Sequence, residues 1–166
     1  MPNLISITPR RRFVGVAVAL AVGGIAMPPL ASGASATGPI VHRVSAGTPD
    51  ACRAFDAKPG CDRNYSLTAT EYADGSVSGQ LTDSSPFGNV HGVIDCLVVE
   101  GNRAWLSGKV KNSSDLYFLT SVADNGTSAS NPDQTSFTDV SHEPQDCSTQ
   151  EDVPLFDVPE GQVKVS

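Results

Sequence analysis

His91 and Asp95 stand four residues apart in the run Val90–Glu100, a spacing that places both on one face of a β-strand. A carboxylate beside an imidazole orients the ring and raises its basicity, which serves acid–base catalysis or metal ligation. Along an extended strand, however, residues i and i+4 are about 13 Å apart. A neighbouring strand would have to bring the two groups together. The plainer expectation is that each polar group is satisfied by backbone or lies near a strand end.

Two other groupings could carry chemistry. Asp124, Asn125 and Asp133 bracket a polar loop, with Asp139 nearby, and offer the hard oxygen donors that calcium takes. The alternating acids of an EF-hand are missing, and Asp, Asn, Gly and Pro are also what turns are built from. Arg103, Lys109 and Lys111 alternate with Trp105, a pattern that could stack a sugar or hold an anionic polymer. The same alternation describes a half-covered strand with Trp105 in a core. Nucleophilic catalysis has little support, since Gly-x-Ser-x-Gly, zincin and P-loop motifs are missing from the sequence. The expectation is therefore a non-catalytic binding or cell-envelope domain that needs no cofactor, with calcium as the one metal its loops could take. The alternative is an exported enzyme or small-ligand barrel with a His91/Asp95 centre in its interior.

The elements that would position these residues are strands. Past residue 36 the chain shows short β-rich runs ended by Gly, Asn, Asp or Pro, and no convincing helix. The clearest pair is Val90–Glu100 and Arg103–Lys111, joined by Gly101-Asn102, a two-residue hairpin signal. That turn sets Val99 against Ala104, Leu97 against Leu106 and Asp95 against Gly108. Alternation then gathers His91, Val93, Asp95, Leu97, Val99, Ala104, Leu106 and Val110 on one face. The other face carries Val90, Ile94, Cys96, Val98, Trp105, Ser107 and Lys109. Both faces are largely apolar, so one lines the core and the other needs a cover. The predicted fold is a single antiparallel all-β domain of about seven strands, a small barrel or sandwich.

Residues 1–36 have the order of a secretory signal peptide. Arg10, Arg11 and Arg12 precede an uncharged run, and Ala34-Ser35-Ala36 supplies a cleavage site. Arg-Arg-x-Phe-Val also fits a twin-arginine signal. Cleavage would leave about 130 residues, with 8 basic and 18 acidic side chains. Such a balance argues against nucleic acid and, once the signal is gone, against an anionic membrane surface. Residues 37–64 read as a loosely ordered leader, and 65–166 as the β domain. Cys52, Cys61, Cys96 and Cys147 all remain after cleavage, an even number suited to an oxidising compartment. Three pairings are open; the favoured one is a local Cys52–Cys61 clip and a long-range Cys96–Cys147 staple. The staple would draw the irregular C-terminal segment over Trp105, with Leu155, Phe156 and Val158 close by.

The order His91-Gly92, Cys96-Leu97-x-Val99-x-Gly101-Asn102-x-Ala104, Gly108-x-Val110, Asp124-Asn125-Gly126, Pro132-Asp133-Gln134 and Cys147 resembles a broad group of small exported bacterial proteins of unassigned function. The resemblance spans roughly Tyr65 to Ser166. It implies a secreted antiparallel β domain and carries over no catalytic residue. The expected partner is an extracellular ligand: a polysaccharide, a small molecule or a protein.

Overall fold

A computed structural model describes residues 38–49, 51, 63–85, 88–128, 130–158 and 160–166, all within one compact unit, Ala34–Ser166. The signal segment and the Cys52–Cys61 clip lie outside the described residues.

Among the described residues ten strands follow in order: β1 (Ile40–Thr48), β2 (Asn64–Tyr72), β3 (Val77–Ser85), β4 (Gly88–Glu100), β5 (Arg103–Val110), β6 (Tyr117–Ala123), β7 (Gln134–Thr135), β8 (Asp139–Ser141), β9 (Phe156–Asp157) and β10 (Gln162–Val165). All pair antiparallel in one sheet of order β10-β1-β2-β3-β4-β5-β6-β7-β9, with β8 also beside β6. The sheet curls into a half-barrel that brings β10 back to β6. Beyond the expected seven, β1 comes from the leader, β7 and β8 divide what reads as one strand over 134–140, and β9 arises in the Pro-rich C-terminal stretch, where a two-residue pairing satisfies backbone that looks irregular in sequence.

One correction concerns the leader. Ile40–Thr48 is a full strand, paired with β2 on one side and β10 on the other. Val44, Ala46 and Thr48 turn inward while Arg43, Ser45 and Gly47 turn outward. That period of two was present in the sequence, but flanking Gly and Pro residues read as loop signals.

Inside the curl, Val44, Leu67, Leu81, Ile94, Leu106, Phe118, Val122 and their neighbours form the main core. Tyr65 is buried among them, and its hydroxyl is bonded to Thr120 Oγ1 at 2.9 Å. Thr120 continues to Ser136 Oγ at 3.2 Å, which donates to the Phe137 carbonyl at 2.7 Å. Burial pushes the Tyr65 phenol up to about 12, against the opposing pull of its hydroxyl partners. Beside it, buried Asp83 takes a two-pronged contact from Arg63.

The hairpin turn has its expected register: Val99 opposite Ala104 and Leu97 opposite Leu106. Gly101 has φ 61°, the left-handed backbone that the first central position of such a turn demands. Further along, the expected alternation breaks. Ile94 pairs with Gly108 and Cys96 with Ser107, so Asp95 is the extra residue of a β-bulge. Gly108 is required opposite it, because a Cβ there would collide with the Val93 carbonyl. The bulge reverses the parity of β4. Ile94 and Leu97 are both inside although three apart, while His91, Val93 and Asp95 are exposed.

Candidate functional site

The second face of β5 and β6 is covered by the chain's own tail. Cys96 and Cys147 are bonded, with Cα atoms 5.9 Å apart. They join Trp105, Leu119, Val98 and Val153 in a separate cluster. Alternate residues of β5 each donate one hydrogen bond to the tail backbone. Arg103 reaches the Val153 carbonyl at 3.1 Å, Trp105 Nε1 that of Glu151 at 3.0 Å, and Ser107 that of Gln145 at 3.0 Å. Arg103 also lies over the indole, 4.6 Å from the ring centroid. Trp105 is only 7% exposed.

The structure therefore places the candidate sugar platform of Trp105 and Arg103 beneath residues 145–153, as the core reading of Trp105 expects. Its donors are spent on tail carbonyls, because an irregular segment laid on a sheet must find partners for its backbone. Val153, rather than Leu155, Phe156 or Val158, is the apolar residue against Trp105. Lys109 alone of the three named ligand residues is exposed, with its ammonium 5.7 Å from the Tyr117 ring centroid.

His91 and Asp95 do not meet. His91 lies on the outside of β4, its Nδ1 3.4 Å from Thr82 Oγ1, and Asp95 sits exposed in the bulge. The interior His91/Asp95 centre expected as the alternative is not formed, because the bulge turns that part of β4 outward.

The loop read as a calcium candidate works as a clasp. Asp133, 6% exposed, accepts the Asn125 amide at 2.8 Å on one oxygen and the Val163 amide at 2.6 Å on the other. Asp124 accepts Gly126 and Val165 amides at 3.0 and 3.1 Å. Asn125 gives its amide group to the Pro132 carbonyl and accepts from Asn102. These oxygens close the seam between β10 and the β6–β7 connection, where no continuous ladder runs. Among the described residues no group of three or more His, Cys, Asp or Glu is placed to hold a metal ion.

Burial pushes the Asp124 carboxyl up, but the Val165 and Gly126 amides and the Lys164 ammonium outweigh it, and the net direction is down. The linked stability is complete above the unfolded carboxyl value, about 3.9, and is lost as pH falls through the lower folded value. Urea midpoints should therefore drop more steeply below about pH 4 in the wild type than in Asp124→Asn. Parallel profiles would show that this carboxylate does not hold the seam.

What the sequence reading missed is the outer face of β1, β2 and β3. Pairing aligns its residues in rows: Gln162, Gly47, Ser66, Thr82 and His91 in one, and Lys164, Ser45, Thr68, Gln80, Val93 and Lys109 in the next. Arg43, Thr70 and Ser78 form a third. Two hollows of about 600 and 630 Å³ lie on this face and share Ser45, Thr68 and Gln80. Neither is lined by an acidic or an aromatic side chain. Gly47 floors the second, and a Cβ there would meet nothing within 4 Å. The signal was legible in Ser66-Leu67-Thr68-Ala69-Thr70, where hydroxyls alternate with core residues. Which strands would lie beside it was not.

Compared with known proteins, the chain matches no family model, no curated protein and no solved structure. The functional reading rests on this geometry alone.

Proposed function

We propose that the chain is an extracellular, non-catalytic binding domain that holds a polysaccharide across the outer face of β1, β2 and β3. The observation that carries this reading is the pair of adjoining hollows, walled by short hydroxyl and amide side chains. Sugars present dense hydroxyl groups that both donate and accept, and Ser, Thr and Gln answer them in kind. Two hollows sharing three residues suit an extended chain rather than a compact ligand. The Cys96–Cys147 bond fits an oxidising compartment, and no described helix is long and apolar enough to cross a membrane.

Gly47→Thr separates binding from folding. Glycine weakens a strand interior by about 0.5–1 kcal/mol relative to alanine, and threonine favours strands. The variant should therefore melt at or slightly above the wild-type temperature while filling the second hollow. Titration calorimetry against soluble polysaccharides should show at least a tenfold loss of affinity. Unchanged binding in the variant, or no glycan binding by the wild type at millimolar sugar, would remove the proposal.

A further inference from the structure

Resting on that reading, we propose that the polysaccharide is polyanionic, carrying carboxylate or sulfate groups along its length. Among the described residues the cations are strongly sorted. Arg63 is locked to buried Asp83, and Arg103 is held by Ser121, Val153 and Trp105 beneath the tail. The remaining described Lys and Arg residues all belong to the hollowed face or its border. Arg43 and Lys111 line the first hollow, Lys164 lines the second, and Lys109 continues the row that begins at Lys164.

The sorting matters because the chain carries 18 acidic residues against 11 basic ones, yet no carboxylate lines either hollow. Hollows lined by cations and by no acid, in so acidic a chain, carry a local excess of positive charge. At physiological salt the Debye length is about 8 Å, so carboxylates farther away do little to cancel it. Lys164 is the weakest of the four, since Asp124 stands 3.5 Å from its ammonium. Arg43 and Lys111 have no ion-pair partner among the described residues.

The missing aromatics point the same way. A neutral glycan exchanges hydrogen bonds with water for hydrogen bonds with protein at little net gain, and stacking on an aromatic ring usually makes up the difference. Here the single tryptophan is buried under the tail. Charge-assisted hydrogen bonds from Arg43 and Lys111 to an anionic sugar are the stronger source available on this surface. A nucleic-acid strand would bring bases that need the same stacking partners.

The test compares polygalacturonate, dextran sulfate, neutral dextran and a single-stranded oligonucleotide at low and at physiological salt. The expected result is that one or both anionic glycans bind at least tenfold tighter than dextran, and that salt weakens this binding. The double variant Arg43→Gln/Lys111→Gln should bring the anionic glycans down to the level of dextran, with an unchanged melting temperature. Dextran binding as tightly as the anionic polymers, independent of salt, would overturn the polyanion while leaving a polysaccharide face in place. An oligonucleotide binding as tightly as polygalacturonate would overturn the sugar specificity. Failure of every glycan would overturn both proposals.

Discussion

Replacing Cys96 and Cys147 together by alanine is expected to cost about 4 kcal/mol of stability, from the closure entropy of a loop spanning 51 residues. The bridge matters beyond that number because of where it sits. Cys147 is fully buried, and residues 145–153 have no strand ladder to hold them on β5. Apart from the disulfide, the attachment includes the Arg103, Trp105 and Ser107 hydrogen bonds, a Ser107 contact to the Cys147 amide at 3.2 Å, an exposed Arg103–Asp152 ion pair at 3.7 Å, and the small cluster around Trp105. Each hydrogen bond contributes only about 1 kcal/mol net. Without the bridge the tail should lift at lower denaturant than the half-barrel unfolds.

Trp105 is the sole tryptophan, so its fluorescence reports this step without a probe. In the double variant a red shift should precede the loss of β-sheet circular dichroism. In the wild type the two transitions should coincide. Coincident transitions in the variant would mean that packing, not the disulfide, holds the tail. A loss well below 1 kcal/mol would mean that the unbridged chain already keeps the loop closed.

Asp133→Ala is expected to lower stability by roughly 2–5 kcal/mol, the cost of leaving two amides that now meet a carboxylate without an acceptor. The Val163 amide is the critical one, because it lies in buried backbone at the seam. Neighbouring strands elsewhere in the sheet satisfy such groups with a ladder. At this edge β10 has β1 on one side and side-chain carboxylates on the other. Asp133→Asn should fall between wild type and alanine, since its carboxamide retains one accepting oxygen but presents an N–H₂ where an acceptor is needed. Urea denaturation measures the loss, and hydrogen exchange at Val163 and Val165 locates it. If those amides exchange no faster in Asp133→Ala, the seam is held by packing of Val163 instead.

How much was legible beforehand can be traced residue by residue. The register of β4 with β5 followed from Gly101-Asn102 and an alternating apolar pattern, both local signals. The Cys96–Cys147 pair was favoured from spacing, and the covering tail followed from two apolar faces on one hairpin. Asp95 shows the limit. A bulge is a mismatch between two strands, so no pattern within β4 alone announces it, and it turned His91 and Val93 from the expected core face to the surface. Arg103 and Trp105 had the composition of a ligand platform, but the same groups suit a tail that must bury its carbonyls.

By itself the sequence determined an antiparallel all-β domain and its central hairpin, and it favoured, among three open pairings, the partners of the Cys96–Cys147 bond. These depend on period-two patterning, a positive-φ glycine and the chemistry of thiols, which act over short stretches or by simple pairing. Only the tertiary structure decided which residues stand side by side on the outside. Ser45, Thr68 and Gln80 are far apart in the chain and chemically ordinary. Antiparallel pairing at about 4.8 Å between strands is what sets them in one row and makes a surface of them.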